Sequence, residues 1–285
     1  IGKGFRAIDE ANLSIIPRSK TFAIFSAILL VASLATVVVR GFDFSIDFLG
    51  GQVSTVQYSE TGAHEEDLSK VAASAGLTNA KVRSYGDQAK NMYQISLKKT
   101  DDATVKDRLQ KALDDAGQKA QIIASDEVGP TIGKELRFNA ILSIILSWIA
   151  ICLYIWFRFG KLGLGFGVGA LVGLVHDTII SIGFISLMGL SVDGALIASV
   201  LTLIGYTIND KIVVFDRIRE NSQIYGRSNF PKLVNSSINQ CFSRTIITSL
   251  TTLFVCLILA VMGGSSIRDF GLVMVFGIII GTYSS

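Results

Sequence analysis

Charge is scarce in this chain. Only 17% of its 285 residues are Asp, Glu, Lys or Arg, against about 25% in an ordinary soluble domain, and mean hydropathy reaches +0.51. That balance excludes a freely soluble enzyme. Cysteine is scarce too: of the three, Cys152 and Cys256 fall inside apolar runs and Cys241 in a polar stretch, so no pair is available for a disulfide framework. The 26 Lys and Arg against 23 Asp and Glu leave a formal net charge of +3 and no polybasic tail, which offers no footprint for nucleic acid. His64 stands alone, without a cysteine near it. No nucleophile–base pair or metal-ligand spacing is visible, so neither an enzyme nor a cofactor-binding protein is expected.

What the chain has instead is apolar residues, 50% of the total, gathered into runs long enough to cross about 30 Å of hydrocarbon at roughly 1.5 Å per helical residue. Six runs stand out: 21–39, 138–157, 162–188, 192–215, 245–262, and a last one from 270 to the end of the chain. They predict a polytopic α-helical membrane protein with a six-transmembrane-helix bundle. The first run is too long, and wrongly flanked, for a cleaved signal peptide, and reads as a permanent anchor. Ile1 in place of Met, and an end inside an apolar run, read as cuts in a longer product.

Short-loop cations give an orientation. Lys3, Arg6, Arg18 and Lys20 precede the first run, Arg158 and Lys161 follow the second, and Arg217, Arg219, Arg227, Lys232 and Arg244 separate the fourth from the fifth. The short loops on the opposite side hold only Arg268, so the positive-inside rule predicts cytoplasmic termini. Residues 1–20 then form a cytoplasmic segment, 21–39 the first transmembrane helix, 40–137 an extracytoplasmic domain, and 138–285 the remaining helices with a cytoplasmic loop at 216–244. The inserted domain reads as strand 52–58, helix 65–75, strands 81–85 and 92–97, helix 102–116 and strand 121–124. Asp101 and Thr104 are candidate caps, and Gly76 and Gly117 sit where helices should end. The order βαββαβ predicts an α+β, ferredoxin-like unit.

The third run places Gly165, Gly169, Gly173, Asp177 and Ser181 at four-residue steps. Small residues at that spacing predict a helix face buried against a neighbouring helix. Asp177 lies eleven residues from Met188, roughly 17 Å in from the helix end and so near the midplane. A carboxylate there costs a few kcal/mol and marks an ion or proton path; the alternative is a hydrogen-bonded group that fixes helix packing. His176, about 100° round the helix from Asp177, reads as a packing residue. In the fourth run Ser199, Thr202, Tyr206 and Asn209 predict a polar stripe, and Asp210 should lie roughly 10 Å nearer the cytoplasm than Asp177, out of direct pairing range. Asp193 reads as a helix start. The string Gly129 to Glu135 is one residue short of a phosphate loop and has Glu135 where the Ser or Thr would stand, so no nucleotide site is expected. An ion gradient remains as the energy source.

Five strings carry a resemblance: GFDFSIDFLGG from Gly41, VGPTIGKEL from Val128, VHD from Val175, GYTINDKIVVFDRIREN from Gly205 and SRTIITSLTT from Ser243. Together they resemble the SecF family of bacterial protein-export subunits, within the resistance-nodulation-division superfamily. The resemblance covers nearly the whole chain. It implies an extracytoplasmic domain between the first two helices, and pseudo-twofold pairing with SecD, separate or fused upstream. It further implies association with the SecYEG channel and the translocating preprotein, with YajC and YidC as additional candidate partners, and use of the proton-motive force after SecA has pushed. Asp177, Asn209 and Asp210 are the implied proton-relay residues, with Lys211, Asp216, Arg217 and Arg219 as charge partners. Lys211 departs from the small or hydroxyl residue expected there. Gly50, Gly51, Gly129 and Gly133 flank the external domain as candidate hinges. Two rival readings are half of a proton-driven lipid or small-molecule exporter, which would carry a larger insert, and a non-transporting membrane scaffold or sensor.

Overall fold

The computed structural model describes residues 13–58, 65–77, 80–84, 91–98, 104–117, 119–226 and 228–285. His64, Tyr85, Asp101, Lys3, Arg6 and Arg227 lie outside them. Among the described residues six helices are long and apolar enough to cross a membrane. They are α1 (Ser19–Arg40), α5 (Pro130–Phe159), α6 (Gly163–Met188), α7 (Gly194–Tyr225), α8 (Phe230–Met262) and α9 (Ser265–Ser284). The helices α6 and α7 form the centre of the bundle. Half of the most apolar window of α7 is buried, whereas none of that of α1 is. The exposed faces carry Ile24, Ile28, Val38 and Phe157, which suits hydrocarbon as the solvent.

Helices run past the apolar stretches at both ends. The predicted loop 216–244 is helical on either side of a turn, because α7 continues to Tyr225 and α8 starts at Phe230. Polar side chains stabilise the turn: the Asn229 side chain accepts from the Lys232 N–H, capping α8, while Asn221 Nδ2 donates to Ser237 and Gln240 across the hairpin. Asp193 caps α7 by accepting from the Leu196 N–H at 2.8 Å, as its position predicts.

Between α1 and α5 lies the inserted α+β unit. Its elements are β2 (Gly51–Tyr58), α3 (Glu65–Ser74), β3 (Lys81–Ser84), β4 (Met92–Lys98), α4 (Val105–Asp115) and β5 (Ala120–Val128), with strand order β3-β4-β2-β5. All pairings are antiparallel and the first strand is central, the ferredoxin-like arrangement. The helix α4 forms because Val105, Leu109 and Leu113 recur every four residues and are buried together against Val56, Leu68 and Ile95. Gly76 and Gly117, at φ +78° and +64°, end the helices where expected. Thr104 occupies the start of α4 but makes no side-chain cap, its backbone being already helical. The strand β5 extends past the predicted 124 to Val128: residues 125–128 lack a strand-like composition but pair with Gly51 to Ser54, so the partner strand decides.

Among the described residues the insert is fastened to the bundle at its base. A two-residue strand β1 (Asp43–Phe44) pairs parallel with β6 (Ser191–Val192) in the α6–α7 connection. Ser45 then caps the one-turn helix α2 (Ile46–Leu49), whose Asp47 accepts from the Gly194 N–H. An ion pair of 2.7 Å joins Lys81 on the edge strand β3 to Asp43.

Candidate functional site: a buried charge centre

The helix α6 carries Asp177, and its neighbour α7 carries Lys211. Lys211 Nζ donates to Asp177 Oδ2 at 2.8 Å, and the two side chains are only 5% and 2% exposed. Taking two ions out of water costs several kcal/mol each, so they persist in such a place only when paired and hydrogen-bonded. Ser284, in the last turn of α9, completes the arrangement: its hydroxyl donates to Asp177 Oδ2 at 2.8 Å and lies 2.9 Å from Lys211 Nζ. Three helices therefore meet at one carboxylate. The Ser181 hydroxyl donates to the Asp177 carbonyl one turn on.

His176 departs from its predicted packing role. Its Nδ1 lies 2.9 Å from Asp177 Oδ1, while Nε2 is buried without a hydrogen-bond partner. A side chain about 100° away on the helix still reaches its neighbour because the imidazole can fold back along the helix surface. A cavity of about 1160 Å3 opens between α1, α6 and α9 and reaches Gly173, His176 and Ser284. Apart from Ser26, Tyr283 and those groups, its walls are largely apolar.

Lys211 reaches back to Asp177 because Gly173 leaves room. A Cβ at Gly173 would stand 2.5 Å from Lys211 Cε, so the missing side chain is the channel for the lysine stem. The rest of the predicted glycine stripe does not hold: Gly165 and Gly169 are exposed. Four residues turn an ideal helix by about 400°, so each step drifts about 40° and three steps leave the original face. Close approach instead uses Gly163 and Gly167, against the Trp156 and Cys152 backbone of α5, and Gly183, against Ser33 of α1. On α9, Gly277 and Gly281 serve the same purpose against Leu203 and Thr207 of α7. Both four-residue pairs are single-step motifs, in which the drift stays small.

Asp210 is buried beside Lys211 at 4% exposure, and the cations acting on it are Lys211 and Arg244. Asn209, by contrast, is exposed on the far face of α7. The predicted polar stripe splits likewise, with Ser199 buried and Thr202 exposed. Of the predicted charge partners only Lys211 reaches Asp177. Asp216 is bound to Arg219 at 2.8 Å and Arg217 to Glu220 at 2.6 Å, each pair one turn apart on α7. Neighbouring residues on one helix satisfy these charges before a distant carboxylate can.

The candidate hinge glycines are of two kinds. Gly50 and Gly51 have φ of +75° and +141°, conformations that favour glycine. Gly133 leaves space for the α2 backbone, since a Cβ there would stand 2.9 Å from the Phe48 carbonyl group. Gly129 sits at the start of α5 in ordinary extended conformation, with open space around it. Gly51 and Val128 are paired in the sheet, so the strands entering and leaving the insert are tied together at its base. Ser284 escaped sequence reading altogether. A serine late in an apolar run carries no signal until its helix is packed.

Comparison with known proteins accords with this architecture. A family model described as protein export membrane protein SecD/SecF, C-terminal, matches residues 108–285. Protein translocase subunit SecF of Calditerrivibrio nitroreducens is 36% identical over 97% of this chain and 91% of its own length. Protein translocase subunit SecDF of Thermus thermophilus is 42% identical over 91% of this chain but only 35% of that longer protein. A crystal structure of SecDF from the same genus, described as a translocon-associated membrane protein, superposes with a TM-score of 0.83 at 36% identity, covering 97% of this chain and 37% of the other. A match of that extent and identity to a six-helix bundle with an inserted α+β unit places the chain in the SecD/SecF family of protein-export membrane proteins, among relatives that are SecF subunits of the protein translocase.

Proposed function

We propose that this chain is the SecF-type partner of SecD in a bacterial inner membrane, drawing on the proton-motive force to assist preprotein passage through the SecYEG channel, with YajC and YidC as further candidate partners. The observation that carries the proton reading is the buried charge count. Asp177 and Asp210 are two carboxylates served by one buried ammonium, Lys211. A proton taken up by either would cancel the excess negative charge at a place where uncompensated charge is costly.

Asp177 shares its ammonium with Ser284 and its second oxygen with His176, which borders the large cavity. That supports access from the end of the bundle where α1 begins, which the positive-inside rule assigns to the cytoplasm. Protonation of Asp177 would release Lys211 and loosen the junction of α6, α7 and α9. Through β1–β6 and α2 the α6–α7 connection holds the insert, which on this reading is extracytoplasmic. Gly50, Gly51, Gly129 and Gly133 are the joints through which helix motion would reach it. The hydrogen bonding of both Asp177 oxygens also favours a second reading, a fixed lock that holds three helices together.

The test is gradient-dependent export of a secretory preprotein in membranes containing this chain and SecD. Asp177→Asn should assemble normally and lose the gradient-dependent part of export. Unchanged gradient dependence would leave the lock reading standing and remove Asp177 from the proton route.

A further inference from the structure

The arginine-rich end of the bundle holds a second pocket, of about 470 Å3, between the last turns of α5, the C-terminal part of α7 and the first half of α8. Arg158, Arg217 and Arg244 line it together with two carboxylates, Asp216 and Glu220. Both carboxylates are already engaged: Glu220 with Arg217 at 2.6 Å, and Asp216 with Arg219 at 2.8 Å. Arg217 is fixed further by donating from Nε to Gln240 at 2.7 Å. Among the described residues Arg158 and Arg244 have no carboxylate within salt-bridge distance, and both are exposed. The wall therefore presents two guanidinium groups, those of Arg158 and Arg244, that its acids do not pair.

The level of this pocket in the bundle is marked by aromatic residues. Tyr154 lines it, and Trp156 and Phe157 beside it on α5 are exposed, the composition found where membrane helices meet headgroups. Phe159, Ile212 and Val213 supply an apolar part of the wall, beside Gln240 and Cys241. Guanidinium groups bind phosphate oxygens through two parallel N–H bonds, and basic pockets between membrane helices suit anionic headgroups. We propose that this pocket binds the phosphate of an anionic phospholipid, with Arg158 and Arg244 as its ligands and the acyl chains lying along the apolar wall. Arg244 also acts on Asp210, so lipid occupancy and the field at that buried carboxylate are linked through one side chain. The assignment requires that the helices span a membrane and does not depend on proton transport.

Native mass spectrometry of the full chain, purified in detergent and titrated with phosphatidylglycerol, phosphatidylcholine or inorganic phosphate, tests it. Phosphatidylglycerol should be retained about fivefold or more over phosphatidylcholine, and Arg158→Gln should lower its retention about fivefold, the worth of one arginine near an anionic surface. Arg158→Lys, which keeps the charge but not the fork, should fall between, and carries the test if Arg158→Gln does not assemble. Lys232→Gln, which removes a cation outside this pocket, should retain lipid like the parent chain. Equal retention of the two lipids, no loss in the Arg158 variants, or an equal loss in Lys232→Gln overturns the site. Displacement of phosphatidylglycerol by millimolar phosphate makes it a free-anion site and overturns the lipid assignment.

Discussion

The insert and the bundle both bury apolar side chains, but they expose opposite things. In the α+β unit the largest fully buried side chains among the described residues are Val56, Leu68, Leu109 and Leu113, and its helices turn their charges outward, as water demands. In the bundle, large apolar side chains such as Ile28, Val38 and Phe157 face out, while Asp177, Asp210 and Lys211 are inside. Each region turns toward its solvent what that solvent accepts. In the insert, burial itself drives folding. Among membrane helices it does not, since lipid tails are as apolar as leucine, and contacts must come from close approach and polar bonds. The two regions should accordingly fail in different ways.

The largest effect is expected from Lys211→Met. It leaves Asp177 buried without its cation, and breaking one side of such a pair costs about 3–5 kcal/mol. Thermal unfolding in detergent should show the loss, and the double variant Asp177→Leu, Lys211→Met should recover most of it. A single variant as stable as the parent would mean that the pair contributes nothing to assembly. Next comes Leu109→Ala, which empties a fully buried site in the insert and should cost about 2–5 kcal/mol. Limited proteolysis of the full chain should then cut the insert while the membrane helices stay protected. Loss of the helices as well would contradict the separation of the two cores.

A smaller effect is expected at their junction. Gly133→Ala forces a Cβ against the Phe48 carbonyl, an overpacking worth about 1–3 kcal/mol, whereas Gly129→Ala meets open space and should be neutral by the same melting assay. Equal effects would show that the α2–α5 contact does not constrain the base of the insert.

The smallest effect is confined to alkaline pH. Burial, with Asp67 and Tyr93 adding to it, pushes the Tyr58 phenol from its ordinary 10.0 up to about 12. The unfolded chain gives up this proton first, so the contribution is complete below about pH 10 and is lost as pH rises toward 12. Tyr58→Phe should flatten that part of the insert's stability profile. An unchanged slope between pH 10 and 12 would assign it to other groups.

Much of this plan was legible from local pattern. Hydropathy runs marked all six helices because membrane spanning is set by length and composition within one segment. The βαββαβ order followed from periods of two and about 3.6 residues, which are equally local. Asp193 and the glycines at 76 and 117 were readable for the same reason. The glycine stripe failed where a local rule was extended over three turns: Gly173 is used, and Gly165 and Gly169 are not. Asn209 and Asp210 stand side by side in sequence, yet one is exposed and the other buried, because successive helical residues point about 100° apart.

The sequence by itself determined that the chain crosses a membrane six times, where its folded insert lies, and that Asp177 is too deep to be indifferent. Hydrocarbon admits few alternatives to a helix, so composition decides those points. Only tertiary structure decided that Lys211 bypasses its neighbour Asp210 to meet Asp177, that Ser284 closes the cluster, and that Asp216, Arg217 and Arg219 are spent on local pairs. Those outcomes depend on which faces of α6, α7 and α9 touch. Contacts between helices distant in sequence are fixed by packing of whole surfaces, which spacing along one helix does not encode.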